Sequence, residues 1–360
     1  MIHAVIGTKA EYIKTAPVLR ELDRRGVPYR LVDVGQHAAL PREFRAPLDV
    51  GDPDVRLDTR GDAENVREAA AWMIRVSRHL LRSRRRIRSE IFGGEPGPCL
   101  VHGDTPSTLL ATLIARRAGL PVAHLESGLR SYHLLHPFPE ELIRVAVMRR
   151  AAVLYAPDGA AVENLRRMKV RGEVVFTGGN TAVDAVCHAV DPEACSDHSG
   201  PGLVAVHRVE NLHSSDRLDG LIETLAAAAA RGPTRFLVHP PTERALRAAG
   251  RWDEVRSAGA TVEPLLPYVD FMAAAREARW VITDGGSIQE ECAVLGVPTL
   301  LWRARTERPD GLDANVVLSN YEPAIIEAFL DDPAAHRRPP RRSGRSPAAR
   351  VADHLVSISG

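Results

Sequence analysis

The chain has 360 residues, enough for two domains that each bury a core of their own. Lys and Arg number 47 against 46 Asp and Glu, a net charge of +1, which argues against a nucleic-acid binder driven by bulk charge and against an acidic tail protein. Hydrophobic residues at 44% and charged residues at 26% exclude global disorder, and aromatics at 5% leave little for base-stacking surfaces.

Residues 2–6 form a short apolar run ending in Gly7-Thr8. A helical pattern covers 10–25, with Gly26 as its stop; Pro17 inside it predicts a late start or a bend. A second β-type run at 29–34 completes a βαβ opening, the usual start of a doubly wound parallel sheet. The arginine run at 82–88 reads as the wet face of a helix. Strands are predicted at 99–102, 121–125, 152–155 and 173–176, with helices from the 103–106 turn through Arg117 and over 159–168. Runs this short, separated by helices, indicate a parallel sheet covered on both faces.

Residues 186–202 lack periodicity and are rich in turn formers, which marks a domain boundary. The second half repeats the rhythm, with strands at 203–206, 236–238, 280–283 and 298–301 and helices at 216–230, 268–278 and 288–295. The Pro- and Arg-rich stretch 336–350 reads as solvated surface, and the chain has no internal repeat. Cys99, Cys187, Cys195 and Cys292 form no CxxC pair and no zinc spacing, so they read as small buried hydrophobes in a reducing compartment. The N-terminal run is too soon charged for a signal peptide, and the longest later apolar stretch, 109–115, is too short to span a membrane. The expectation is a cytoplasmic protein.

In open parallel sheets ligands bind where strand ends meet helix N-termini. No GxGxxG follows the first strand and GxxxxGK[ST] is absent, which counts against dinucleotide oxidoreductases and P-loop NTPases. Polar turns stand there instead: GTKAE at 7–11, HGDT at 102–105, ESGLR at 126–130, PFPEE at 137–141, HRVEN at 207–211, DGGSIQEE at 284–291 and TERPD at 306–310. Taken singly, Asp104 reads as a helix N-cap, Glu140 and Glu141 as first-turn carboxylates, and Arg308 as half of a surface salt bridge. Gly285-Gly286-Ser287 precedes a helix expected from about Ile288, whose free N–H groups suit an anion.

Together, and in this order, the seven turns resemble the UDP-N-acetylglucosamine 2-epimerase family over nearly the whole chain. The resemblance implies an α/β fold of two Rossmann-like doubly wound domains facing a cleft, the glycosyltransferase-B type. Residues 1–185 would carry the catalytic carboxylates and 186–360 would bind UDP, with the last helix packing back on the first domain. It implies reversible epimerisation at C2 of the sugar, by elimination of UDP to a 2-acetamidoglucal and readdition after proton exchange. Such chemistry needs a base, an acid, a stabiliser of positive charge near C1, and cations or helix N-termini for the departing diphosphate.

On the same ground Asp104, Glu126, Glu140 and His207 are the expected catalytic residues. Lys9, Lys14, Arg144, Arg208, His239, Phe271, Gly285, Gly286, Ser287, Glu291 and Arg308 are the expected substrate contacts, with Glu290 as the neighbour candidate to Glu291. Which carboxylate is the base on which face stays open. No metal and no cofactor is implied; the partners are a UDP-sugar and a second copy of the chain, with no nucleic acid and no membrane. A hydrolysing 2-epimerase that releases N-acetylmannosamine, a glycosyltransferase on the same fold and a non-catalytic sugar-nucleotide sensor are the alternatives. The carboxylate trio counts against the last two.

The chain also departs from the pattern. Lys9-Ala10 stands where members carry arginine and proline, which keeps the charge and loses the bidentate fork. The 285–287 turn reads glycine-glycine-serine rather than serine-glycine-glycine, and an extra glycine stands in GGNT at 178–181. Ala38-Ala39 follows Gln36-His37, in a region that helps many bacterial members hold a second, activating UDP-N-acetylglucosamine. Alanines offer no side-chain hydrogen bonds, so the chain is expected to work without that second molecule.

Overall fold

The computed structural model describes residues 1–36, 42–60, 66–132, 139–194, 196–306, 308–341 and 344–359. The Ala38-Ala39 segment, Pro137-Phe138 of PFPEE, Cys195 and Glu307 lie outside the described residues. The chain divides into two compact units, one made of Met1–Ala185 and Ser343–Gly360, the other of Val186–Arg342.

The first unit holds β1 (Ile2–Ile6), β2 (Tyr29–Asp33), β3 (Val55–Arg56), β4 (Cys99–His102), β5 (Val122–Leu125), β6 (Val153–Ala156) and β7 (Glu173–Phe176). They form a parallel sheet of order β3-β2-β1-β4-β5-β6-β7. The chain builds outward from β1 in one direction and then returns to the other side of it, so the order reverses between β1 and β4. Alternate strand residues feed two cores. Val5, Val32 and Val101 pack in one, with Ile114 and Val147 from helices, while Ile2, Leu100 and Ala123 pack in the other with Val18 and Leu22. This is the two-sided burial expected of a parallel sheet. The last helix, Pro347–Ser357, packs on the first, Lys9–Arg24, and puts Val351 and Leu355 into that second core. Arg25 adds a 2.5 Å contact to Asp353.

The second unit holds β8 (Gly202–Ala205), β9 (Thr234–Val238), β10 (Thr261–Pro264), β11 (Val281–Thr283), β12 (Thr299–Leu301) and β13 (Val316–Leu318). Their order is β10-β9-β8-β11-β12-β13, again parallel, with the reversal between β8 and β11. Phe236, Trp280, Leu300, Trp302 and Phe329 fill its core.

Three local expectations are corrected. The first helix does not start late: it begins at Lys9 and continues past Pro17 to Arg24, because Thr8 caps its start and a buried face of Tyr12, Ala16, Leu19 and Leu22 holds it down. The helix after β11 begins at Gly286, not Ile288, because Gly285 serves as its cap. The stretch 336–350 is not simply solvated. Arg338 N–H donates to Gly296 O at 3.0 Å and Arg341 N–H to Val294 O at 2.8 Å, while Pro347 opens the last helix in a buried position. Among the described residues no helix is long and apolar enough to cross a membrane.

Candidate active site

Each order reversal leaves two strand ends whose loops part to opposite faces, the place where open α/β sheets bind ligands. In the first unit these are the turns after β1 and β4. Gly7 has no room for a side chain, since a Cβ there would stand 2.4 Å from both Ser107 Cβ and Val34 Cγ2. Buried Glu11 ties the two turns together by accepting from Gly7 N–H at 2.7 Å, from the Ser107 hydroxyl at 2.5 Å and from the Thr105 hydroxyl. Burial pushes its carboxyl upward.

The cap of the helix Pro106–Ala118 is Thr105, with Pro106 at the first position. Asp104 is therefore released from capping, and its Oδ2 accepts from Arg144. Arg144 is buried, with its other terminal nitrogen on Glu141 Oε2 at 3.1 Å. Glu141 is fully buried and also accepts from Arg130 Nε and from Ser131 N–H at 3.2 Å. Both glutamates of PFPEE lie in the first turn of the helix Glu140–Met148; Glu140 is half-buried there.

After β5, Glu126 takes a left-handed backbone, φ 60°, a conformation that non-glycine residues keep only when their surroundings fix it. Its Oε2 accepts from Lys14 Nζ at 2.7 Å and from Asn180 Nδ2 at 2.6 Å, with His102 Nε2 at 3.4 Å. The Lys14 and Glu126 side chains are only 2% and 3% exposed. Lys14 arrives from the first helix and Asn180 from the GGNT turn after β7. His124 lies beneath. Its Nε2 faces the Gly103 carbonyl at 2.7 Å and so must donate, which leaves Nδ1 to accept from the Ser127 hydroxyl at 2.7 Å. Burial pushes its imidazole down to about 4, so it stays neutral and braces Gly103, before Asp104, against Ser127, after Glu126.

In the second unit the reversal brings together the turns after β8 and β11. Asp284 is fully buried and accepts from the backbone N–H of His207 at 3.0 Å and of Arg208 at 2.8 Å, and from Asn211 Nδ2 at 2.8 Å. Its Oδ1 stands 3.1 Å from His207 Nδ1. Burial alone would raise its carboxyl; the His207 contact and charge and these donors outweigh burial and hold it below the usual range. The His207 ring stacks on His239, centroids 4.3 Å apart. The helix Gly286–Leu295 starts from Gly285 with no side-chain cap, so its first-turn N–H groups keep the geometry of an anion site.

Arg308 is not half of a surface pair. It is buried, with one terminal nitrogen on buried Glu290 at 3.0 Å. Gln289 fixes its loop by donating to the carbonyls of Arg308 at 3.0 Å and Asp310 at 2.9 Å and accepting from the Thr306 hydroxyl at 2.8 Å. Glu291 and Phe271 are buried, Ser287 and His239 half-buried, and Lys9 exposed. Arg208 pairs with Glu210 at 2.9 Å. Among the described residues no three His, Cys, Asp or Glu side chains gather as a metal site.

Sequence reasoning assigned no site role to Glu11, His124, Glu141, Asn180, Asp284 or Gln289. All six stand inside or beside the quoted turns, and that adjacency is the one signal the sequence offered.

A family model described as UDP-N-acetylglucosamine 2-epimerase matches residues 20–344. The UDP-N-acetylglucosamine 2-epimerase of Methanocaldococcus jannaschii is 26% identical over 343 residues, 90% of this chain and 90% of that protein. The UDP-2,3-diacetamido-2,3-dideoxy-D-glucuronate 2-epimerase of Pseudomonas aeruginosa is 26% identical and covers 99% of each chain. The crystal structure of the Methanocaldococcus jannaschii UDP-GlcNAc 2-epimerase with UDP-GlcNAc and UDP superposes with a TM-score of 0.83 at 24% identity, over 99% of both chains. At that identity the likeness shows the fold, a two-unit α/β fold of the glycosyltransferase-B type. The chain belongs to the UDP-N-acetylglucosamine 2-epimerase family.

Proposed function

We propose that the protein interconverts UDP-N-acetylglucosamine and UDP-N-acetylmannosamine by elimination and readdition, without hydrolysis. A carboxylate of the first unit takes the C2 proton as the C1–O bond breaks, and the bonding pair leaves on the β-phosphate oxygen of UDP. In the return step a proton reaches the opposite face of C2 and the phosphate oxygen adds back to C1. Asp104, Glu126 and Glu140 are the acid–base set. The observation that carries this reading is Glu126, held at a strained backbone position with two donors on one carboxylate oxygen. Fixing a carboxylate in this way suits it to meet a proton or a developing cation without reorganisation.

The second unit takes the nucleotide. The N–H groups of Gly286 and Ser287, with Arg208, receive the diphosphate, and His207 stands beside them as the catalytic residue of this unit; Glu291 and the Arg308–Glu290 pair serve the ribose and uridine side. Lys9, Lys14, Arg144, His239 and Phe271 complete the substrate surroundings, Lys14 and Arg144 acting through the carboxylates that they hold. In heavy water, NMR of a reaction started from UDP-N-acetylglucosamine should show UDP-N-acetylmannosamine, with deuterium at C2 of both sugars. Free N-acetylmannosamine with UDP would make the chain a hydrolase, and full retention of the C2 hydrogen would end the elimination route.

Two further parts of the reading are finer. The buried free thiols of Cys99 and Cys292 suit a reducing cytoplasm, whereas Cys187, expected to be buried, is exposed. The first unit exposes the apolar side chains Met73 at 42%, Ile74 at 59% and Leu81 at 85%, which a homodimer contact would cover. Light scattering should then give twice the chain mass of 39.3 kDa, and a monomer mass at working concentration would dismiss the dimer.

A further inference from the structure

We propose that Asp284 is a positioning residue for His207, fixing both the place and the tautomer of its imidazole. This rests on the reading above for what His207 then does, but not for the contact itself. The carboxylate lies at the end of β11, is fully buried, and gathers the start of the β8 turn through two backbone N–H groups and Asn211. Asn211 is buried too, and its Oδ1 accepts from Tyr321 at 3.0 Å, so the anchor is itself held. The His207 Nδ1 stands 3.1 Å from Oδ1 without the alignment of a hydrogen bond, but a bare Nδ1 lone pair there would face the negative oxygen, so the carboxylate charge places the proton on Nδ1. Nε2 is left on the opposite edge of a ring whose side chain is 35% exposed, as the atom able to take up a proton or meet a ligand oxygen.

Two neighbours restrict the ring further. His239 stacks on one face, with planes inclined by 17°. Gly285 lies against the ring edge, where a Cβ would come within 3.1 Å of His207 Cε1. Asp284 immediately precedes Gly285, so one carboxylate sets the histidine beside the turn that offers its N–H groups to an anion. A merely structural carboxylate would hold the β8 turn but would have no bearing on which ring nitrogen carries the proton.

Asp284→Asn separates these roles. Its amide oxygen, in the place of Oδ2, can keep the bonds from Arg208, Asn211 and the His207 N–H, while its NH2, in the place of Oδ1, removes the negative charge that faces Nδ1 and favours the other tautomer. Turnover should fall by at least about tenfold. The affinity for UDP, read by calorimetry, should stay within about twofold. In the His207→Gln background the same change should cost nothing further in turnover, since residues that act as a unit do not add. Losses that add, or UDP affinity that falls in step with turnover, would make Asp284 a structural anchor only. The ring itself gives a readout without activity and without any change at 284. In protein labelled with 15N-histidine, with His207 assigned by its loss in His207→Gln, the neutral ring should be protonated at Nδ1. A ring protonated at Nε2 overturns the proposal even if Asp284→Asn fails to fold. Absence of turnover in the unaltered protein would instead end the functional reading and leave the tautomer result standing.

Discussion

Asp104→Asn should lower kcat at least ~100-fold, the usual scale for a lost acid–base group, while the protein still folds. Folding is expected to survive because Arg144 keeps its bond to Glu141 at 3.1 Å, and the new amide oxygen can still accept from the guanidinium. Thr105, not Asp104, caps the following helix, so no cap is lost. Glu126→Gln should lower kcat by a similar factor but also lower stability. Lys14 would keep a neutral acceptor and lose its counter-charge in a site where its side chain is 2% exposed. Turnover of the UDP-sugar and thermal melts on the two variants check both statements. Near-normal turnover in either would remove that carboxylate from the mechanism, and equal melts would show that the Lys14 charge is satisfied elsewhere.

The fold was legible where strands are central. β1, β4, β5, β8 and β11 are short, wholly buried apolar runs, and burial on both faces is what writes such runs into a sequence. β3, β10 and β13 escaped because they are short edge strands with residues left partly or fully exposed, and carry Arg56, Glu263 and Pro264. The turns that hold the site were legible for a related reason: four of them, GTKAE, HGDT, HRVEN and DGGSIQEE, follow strands at the order reversals. What holds those turns was not. Lys14 meets Glu126 across 112 residues and Asp284 meets His207 N–H across 77, separations that no local pattern records. Local chemistry also misled. Asp104 next to a helix start looks like its cap, but Thr105 followed by Pro106 fits the cap better and takes the place.

Lys14→Met should be strongly destabilising. Lys14 and Glu126 are 2.7 Å apart with side chains 2% and 3% exposed, so removing the ammonium strands a carboxylate away from water. Breaking one side of such a buried pair costs about 3–5 kcal/mol, mostly the penalty of the charge left behind. Asn180 and His102 stay beside the same oxygen, but neutral donors offset only part of it. Methionine fills nearly the same volume, so the loss cannot be charged to a cavity. The origin of the penalty can be isolated by neutralising the partner. In Lys14→Met/Glu126→Gln neither charge of the pair remains, and most of the lost stability should return although turnover stays at the level of Glu126→Gln. Denaturant midpoints on the parent, both single variants and the double variant close the cycle. A Lys14→Met midpoint equal to the parent's would show that the pair carries no stability. A double variant less stable than Lys14→Met would show that packing around the lysine stem, not charge, holds Glu126 in its strained position.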